Sequence, residues 1–331
     1  MRGRLLACIL TALLAPAVAR AAPITAFYVV GDSLSDQGNG FLLTGGTFPP
    51  PPYDERASNG PAAVEYLASA LGVPLAPSSA GGSNYAVLGA TTGAVAIAFP
   101  PFTTENVAAL QYGQPALEGT SLLTQTGGIL ALGPLDPGAL FFIWGGANDI
   151  SIDPSAATVG GAVNNLVSII SLLYGSGARQ FFVPNLPDLS LTPAGLALSP
   201  AEQAALQALT LGFNAGLAGA LDGLSALPGI DIEQFDTFSL FNAILANPGA
   251  FGFTTTSTPC VTGNLQDGGS VCADPGSYLF WDSVHPTTAA HQLLGNAFAE
   301  AVAEPVPEPA SLALLSLGIG LAMAARRRRA A

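Results

Sequence analysis

The chain has 331 residues, half of them hydrophobic, and a formal net charge of −13, so it is long enough for one large domain with a substantial core. Seven of its nine basic residues lie in two terminal segments, 1–21 and 305–331, but only one of its 22 acidic residues does. The part between these segments is therefore strongly acidic. Such a surface repels phosphate backbones, so no nucleic-acid partner is expected.

The first 21 residues have the pattern of a secretory signal peptide. A short basic start is followed by an apolar run from Leu5 to Val18, and small residues around Arg20 provide a cleavage pattern. Export takes a protein into an oxidising compartment, so we expect Cys260 and Cys272, which lie close in sequence, to form a disulfide. The spacing of these cysteines and of the two histidines fits no structural zinc pattern, so no metal is expected.

Between residues 22 and 304, patterns typical of strands and of helices alternate along the chain. Short runs of β-branched and aromatic residues predict strands at 25–30, 84–87, 140–144, 180–183 and 231–235, of which the second is the weakest. Helical patterns predict helices at 61–71, 159–174, 200–221 and 288–303. The third helix is the best marked, because Ser199 and Glu202 form a capping box at its start. This alternation indicates an α/β fold with a parallel sheet covered on both faces.

Three of the predicted strands deliver a small or polar residue to their carboxyl end. The first runs into Gly31-Asp32-Ser33, the second into Gly89 and the third into GGAN, which ends at Asn148. In an open parallel sheet, ligands bind in the crevice outside these ends, where the strand order reverses. If the strand order is 2-1-3-4-5, Ser33, Gly89 and Asn148 face the same crevice.

A serine hydroxyl is a weak nucleophile at neutral pH and needs a neighbouring base, a role that suits histidine. The chain has two histidines. His291 falls inside the last helical pattern and is expected to be half-buried there, whereas His285 stands at the entry of that helix. Asp282 precedes His285 by three residues, from where its carboxylate can bond the imidazole and fix the tautomer. Ser33, His285 and Asp282 are therefore a candidate nucleophile, base and orienting acid.

Four sequence blocks together resemble the GDSL/SGNH esterase-lipase family, in its lecithinase and plant-type branch. They are GDSLSD, the glycine of AVLGATT, GGAND and DSVHP, in this order along the chain. The resemblance implies a three-layer α/β/α, flavodoxin-like SGNH-hydrolase fold over residues 22–304, with a parallel five-stranded sheet of order 2-1-3-4-5. It also implies an oxyanion hole made by the backbone N–H groups of Ser33 and Gly89 and the side-chain amide of Asn148. This chemistry requires no cofactor.

One position departs from relatives of this branch, which often carry glycine where this chain has Leu88. A bulkier residue beside Gly89 is expected to reshape the acyl pocket. Two irregular segments, 38–61 and 247–277, are candidates for shaping that pocket or for a lid, because long loops in a compact domain are usually functional or mobile.

Residues 305–331 resemble the PEP-CTERM sorting tail of Gram-negative bacteria. A Pro-Glu-Pro element precedes an apolar stretch from about Ala310 to Ala325, and four arginines follow it, which marks its end as cytoplasmic. The resemblance implies exosortase-type sorting machinery as a partner, transient membrane anchoring, and export to the cell surface, outer membrane or extracellular matrix. An ordinary C-terminal anchor without processing is the alternative.

The predicted activity is hydrolysis of a carboxylic ester through an acyl-serine intermediate, on a lipid, a small ester or an acylated polysaccharide. The same residues would serve an acyltransferase or a deacetylase acting on extracellular polysaccharide, so the sequence leaves these open. A non-catalytic surface protein would be expected to lose at least one of Ser33, Asn148 or His285, and all three are present. A glycosidase that uses paired carboxylates is a further alternative, but the GGAND and DSVHP blocks would then have no catalytic role and would occur by chance.

Overall fold

A computed structural model describes residues 24–97 and 102–303 of the chain. The strands are β1 Phe27–Gly31, β2 Ala90–Ile97, β3 Phe102–Asn106, β4 Leu140–Trp144, β5 Gln180–Pro184, β6 Asp231–Phe235, β7 Val261–Asn264 and β8 Gly268–Val271. The α-helices are α1 Asn39–Leu43, α2 Ala63–Leu71, α3 Val107–Gln111, α4 Leu122–Leu130, α5 Ala147–Ile152, α6 Ala156–Gly175, α7 Pro193–Leu196, α8 Pro200–Leu224, α9 Thr237–Ala246 and α10 Thr288–Ala303. The predicted signal peptide and sorting tail lie outside the described residues.

The central sheet has four parallel strands in the spatial order β1-β4-β5-β6, which are the predicted strands 1, 3, 4 and 5. The predicted second strand, 84–87, lies along the other side of β1, where the N–H of Tyr85 donates to the carbonyl of Val29 at 2.8 Å. It forms only isolated bridges, from Asn84 to Val29 and to Pro77, so the prediction of a fifth regular strand is wrong. The Asn39 side-chain amide binds two carbonyls of this segment, at 2.7 and 2.9 Å.

Helices cover both faces of the sheet, because successive strand residues point to opposite sides. On one face, Phe141 and Phe181 pack with apolar residues of α4, α6 and α8. On the other face, Phe142 and Phe182 pack with residues of α2 and α10. The predicted three-layer α/β/α fold is therefore confirmed, with one core on each side of the sheet.

The four predicted helices correspond to α2, α6, α8 and α10. Helix α8 begins at the predicted capping box, where Ser199 Oγ accepts the N–H of Glu202 and the Glu202 carboxylate accepts the N–H of Ser199. Both α6 and α8 are long and apolar enough to cross a membrane by length and composition. In this fold their buried residues instead cover one face of the sheet.

The two irregular segments meet in a third apolar cluster, which we call the Trp281 cluster. Its buried members are Phe48, Tyr53, Ala57, Val87, Leu88, Ala108, Leu117, Cys260, Val261, Leu265 and Trp281. Cys260 and Cys272 form a disulfide across the β7–β8 hairpin. Residues 260–261 donate two backbone hydrogen bonds to residues 280–281, so the hairpin supports the chain just before the DSVHP block.

Candidate active site

The carboxyl end of β1 is held in place before the chain turns into the GDSL block. The side-chain amide of Gln125 on α4 makes two hydrogen bonds to the backbone of Gly31, each 2.9 Å long. The carbonyl of Asp32 then accepts the N–H groups three and four residues further on, at 3.0 and 2.9 Å. This turn leaves Ser33 half-buried at the carboxyl edge of the sheet.

Ser33, His285 and Asp282 lie in one chain of hydrogen bonds, although Ser33 and His285 are 252 residues apart. His285 Nε2 lies 2.9 Å from Ser33 Oγ, and His285 Nδ1 lies 2.7 Å from Asp282 Oδ2. Asp282 Oδ1 accepts the backbone N–H groups of Val284 and His285 at 2.9 and 2.7 Å. The N–H of Trp281 closes the loop on the carbonyl of His285 at 2.7 Å. The arrangement can move a proton from the serine hydroxyl to the imidazole.

Burial and neighbouring charges shift the pKa values of His285 and Asp282 in opposite directions. Burial alone lowers the pKa of His285, but the charge of Asp282, the hydrogen bond to it and the charge of Asp32 raise that pKa above its ordinary value. Burial raises the pKa of Asp282, but the charge of His285 and the hydrogen bonds outweigh burial and lower it. Asp282 is therefore ionised at neutral pH and can stabilise a protonated His285. Burial raises the pKa of Asp32, the residue before Ser33, to about 7.

His291 is fully buried, so the expectation of a half-buried residue is wrong. Its Nδ1 accepts the backbone N–H of Ala63 at 3.2 Å, at the start of α2, which draws the ring into the packing between α2 and α10. Burial, together with the charges of His285 and Arg56, lowers the pKa of His291 to about 3. The ring is therefore neutral at working pH and serves as an acceptor for a helix N-terminus.

Gly89 and Asn148 line the same cavity as Ser33. Gly89 has φ +78°, and a side chain there would meet Asn106 Oδ1 at 2.6 Å, so the position requires glycine. The side-chain amide of Asn148 donates to the carbonyl of Ala90 at 2.9 Å, which leaves its second N–H without a partner among the residues that the structure describes. Within residues 24–97 and 102–303, the backbone N–H groups of Ser33 and Gly89 donate no hydrogen bond. The N–H groups of Ser33, Gly89 and Asn148 can therefore donate hydrogen bonds to an oxygen that gains negative charge.

Two buried carboxylates tie these loops together, and the sequence analysis did not single them out. Asp149 accepts the backbone N–H and the hydroxyl of Thr92 at 2.9 and 2.6 Å, which joins the GGAND block to the segment after Gly89. Asp36 accepts four backbone N–H groups, including that of Leu88 at 2.8 Å, which joins the GDSLSD block to the same segment. Both acids are the last residues of their motifs, so the motifs themselves carried the signal.

The cavity that contains Ser33 Oγ has a volume of about 680 Å³. Its polar lining residues include Ser33, Gly89, Asn148 and His285. Its walls are mostly aliphatic and aromatic side chains from α8, α9, α10 and the segments between them. They include Leu206, Leu209, Leu240, Phe241, Ile244 and Leu293. A mostly apolar cavity that also contains Ser33 and His285 suits a ligand with a reactive polar group and a hydrocarbon part.

Segments 38–61 and 247–277 and residue Leu88, which were expected to shape this pocket, contribute little to its lining. Segment 38–61 supplies none of the cavity-lining residues, and segment 247–277 supplies Leu265 alone. Segment 38–61 packs into the Trp281 cluster, whereas segment 247–277 divides between that cluster and a second one, in which Phe253 lies with Phe241 and Ile244. Leu88 does not line the cavity either. It is buried in the Trp281 cluster against Gly40, where an added Cβ would come within 2.1 Å of the leucine. The pocket walls come from helices that the sequence analysis did not connect with the site.

Comparison with known proteins places the chain in a family. A family model described as GDSL-like lipase/acylhydrolase matches residues 27–298, and a PEP-CTERM protein-sorting motif matches residues 305–329. An uncharacterized protein of the trpE-trpG intergenic region of Pseudomonas putida is 30% identical over an alignment of 308 positions, which covers 85% of this chain and 49% of that protein. The chain thus spans about half the length of that relative.

Two further relatives have names that describe an activity. A GDSL esterase/lipase of Arabidopsis thaliana is 26% identical over 329 residues, covering 85% of this chain and 88% of that protein. The thermolabile hemolysin of Vibrio parahaemolyticus is 28% identical over 286 residues, covering 82% of this chain and 62% of that protein. Since the family model covers nearly all of the described residues, the chain belongs to the GDSL-like lipase/acylhydrolase family of hydrolases and carries a PEP-CTERM motif, which indicates export and surface sorting in Gram-negative bacteria.

Proposed function

We propose that this protein is a serine esterase that hydrolyses carboxylic esters with an apolar acyl chain. The observation that carries the proposal is the chain of hydrogen bonds from Ser33 Oγ through His285 to Asp282, at 2.9 and 2.7 Å. Names of relatives that include esterase and lipase support it.

The reaction divides into two steps that balance in atoms and charge. Ser33 Oγ attacks the acyl carbon while its proton passes to His285 Nε2, and the alcohol leaves with that proton, so an acyl-serine remains. A water molecule then attacks the acyl carbon, gives a proton to Nε2, and the carboxylic acid leaves as Ser33 recovers its proton. In both steps the carbonyl oxygen gains negative charge, which the N–H groups of Ser33, Gly89 and Asn148 stabilise.

The apolar walls of the cavity favour acyl chains longer than acetyl. Each methylene that leaves water contributes about 0.8 kcal/mol, which corresponds to roughly fourfold in rate or affinity if all of it is realised in the transition state. We therefore expect kcat/KM for p-nitrophenyl esters to rise from acetate to a maximum at a medium or long chain. The measurement is a series from acetate to palmitate with the purified protein. A maximum at acetate would favour a deacetylase, and no hydrolysis of any ester would contradict the proposal.

A cavity-filling variant tests the assignment of the acyl site. Leu206→Trp on α8 adds bulk to the cavity wall, so it should lower the decanoate-to-acetate ratio of kcat/KM by about tenfold. Leu211→Trp is the matched control, because Leu211 lies on the same helix and is 47% exposed. An unchanged ratio in Leu206→Trp, or an equal fall in both variants, would place the acyl chain elsewhere.

The acidic limb of the pH profile reports the protonation of His285. Only the neutral imidazole can accept the serine proton, and the pKa of His285 is raised, so activity should be lost as pH falls through a midpoint above about 6.5. We expect kcat/KM to rise between pH 6 and 8, measured with one ester in buffers of constant ionic strength. A profile that stays flat from pH 5 to 8 would exclude His285 as the base.

We further infer that residues 1–21 direct export and are removed, that residues 22–304 form the hydrolase domain, and that residues 305–331 anchor the protein transiently until exosortase-type machinery processes it. The natural ester would then be met at the cell surface, at the outer membrane or in the extracellular matrix. The sorting motif at 305–329 supports this. Mass spectrometry of the mature surface protein tests it, since both ends of the chain should be shortened.

A further inference from the structure

Tyr53 reaches the acidic residue of the site from the segment 38–61. The side chain is 5% exposed and belongs to the Trp281 cluster, where its ring meets that of Trp281 edge to face at 6.1 Å between centroids. Its hydroxyl donates to Asp282 Oδ2 at 2.9 Å. The residues are 229 positions apart, so packing of the whole segment against the cluster is what brings them together.

Asp282 Oδ2 receives two donors, the Tyr53 hydroxyl and His285 Nδ1–H. Its other oxygen receives two backbone N–H groups of its own loop. Burial and the charge of Asp282 raise the pKa of the Tyr53 hydroxyl, so it stays a donor at every working pH. Two donors on one carboxylate oxygen compete for its electron density, and each weakens the bond that the other makes.

We propose that Tyr53 is a positioning residue of the site: its hydroxyl fixes the Asp282 carboxylate against His285 and limits how strongly that carboxylate holds the imidazolium. This inference rests on the proposed function, but the effect of the Tyr53 hydroxyl on His285 can be measured without a substrate. Without the hydroxyl, Oδ2 becomes a stronger acceptor for His285 and stabilises the imidazolium more. The carboxylate also loses one of the contacts that fix its orientation.

Replacing Tyr53 with phenylalanine leaves the other titratable groups near Asp282 and His285 in place. Asp282 also faces Tyr112, and His285 also feels the charge of Asp32. His291 is close enough for its pKa to be lowered by the charge of His285. All of these groups keep their neighbours when Tyr53 loses only its hydroxyl, so a change in His285 would come from the bond to Asp282.

The test is a pH titration of the histidine rings by NMR in the wild type, Tyr53→Phe and Tyr278→Phe. The chain has two histidines, and the pKa of His291 is lowered to about 3, so the ring that titrates between pH 5 and 9 is His285. We expect Tyr53→Phe to raise the pKa of His285 by about 0.5 unit or more. Tyr278→Phe removes a hydroxyl from a tyrosine that packs on the same cluster without a bond to Asp282, and should leave that pKa unchanged.

Kinetics provide the second readout. With an ester substrate, Tyr53→Phe should lower kcat by about three- to thirtyfold with little change in KM, and move the acidic limb to higher pH. A His285 pKa equal to that of the wild type within 0.1 unit in well-folded Tyr53→Phe would overturn the inference, and so would an equal shift in Tyr278→Phe. Neither result depends on esterase activity, so failure of the proposed function would be seen separately, as absence of hydrolysis by the wild type.

Discussion

Replacing Ser33 with alanine should lower kcat for ester hydrolysis by at least about 10⁴-fold, because no acyl-serine can form. The substitution removes only the oxygen that lies 2.9 Å from His285 Nε2. The backbone N–H of residue 33 remains, so the residual rate reflects binding and charge stabilisation alone. The measurement is kcat for the best p-nitrophenyl ester, with thermal unfolding as a check that the fold is intact.

Ser35→Ala is the matched control for this variant. Ser35 lies in the same loop, is fully buried, and its hydroxyl has no hydrogen-bond partner among the described residues. Its removal should leave kcat within about threefold of the wild type, since no hydrogen bond is lost. If Ser33→Ala retained a tenth of the activity, or if both variants lost activity equally, Ser33 would not be the nucleophile.

Asn148→Ala should lower kcat by about 10²- to 10³-fold and change KM little, because the amide donor acts on charge that develops in the transition state. The expected loss is smaller than for Ser33, since the two backbone N–H groups of the proposed oxyanion hole remain. A fall in kcat/KM that came entirely from KM would assign Asn148 to ground-state binding instead.

Asn165→Ala separates this role from a purely structural one. Asn148 also holds the carbonyl of Ala90, and Asn165 on α6 binds the hydroxyl of Thr92 in the same segment at 3.0 Å. A loss that came from loosening that segment would therefore appear in both variants. We expect Asn165→Ala to lose less than about threefold, since it does not line the cavity. Equal losses of kcat in the two variants would contradict a role of Asn148 in the oxyanion hole.

The layered fold and the three hydrogen-bonded residues could be predicted because their signals are local. Each strand of the central sheet is a short apolar run, and each motif stands at the end of such a run or at the entry of a helix. The topology of a parallel sheet then brings Ser33 and Asn148 to one edge. Local signals do not suffice for the segment 84–87. The side chain of Asn39 binds two of its carbonyls, and the composition of the segment does not predict such a contact.

The supporting contacts could not be predicted, because each joins positions that no periodicity relates. Gln125 binds Gly31 across 94 residues, and Tyr53 binds Asp282 across 229 residues. The β2–β3 and β7–β8 hairpins are rich in small and polar residues, so they lack the apolar alternation that marks strands. Segments 38–61 and 247–277 were candidates for shaping an acyl pocket, but of their residues only Leu265 lines the cavity, since irregular composition indicates a loop without indicating what it packs against.

The most direct test of the central claim is covalent capture of the nucleophile. An alkyl fluorophosphonate should react with the wild-type protein at one site, and digestion with mass spectrometry should find the adduct on Ser33. The rate of labelling should fall at low pH as His285 becomes protonated. An adduct on another residue, or an unlabelled protein that still hydrolyses esters, would contradict the assignment of Ser33 as the nucleophile.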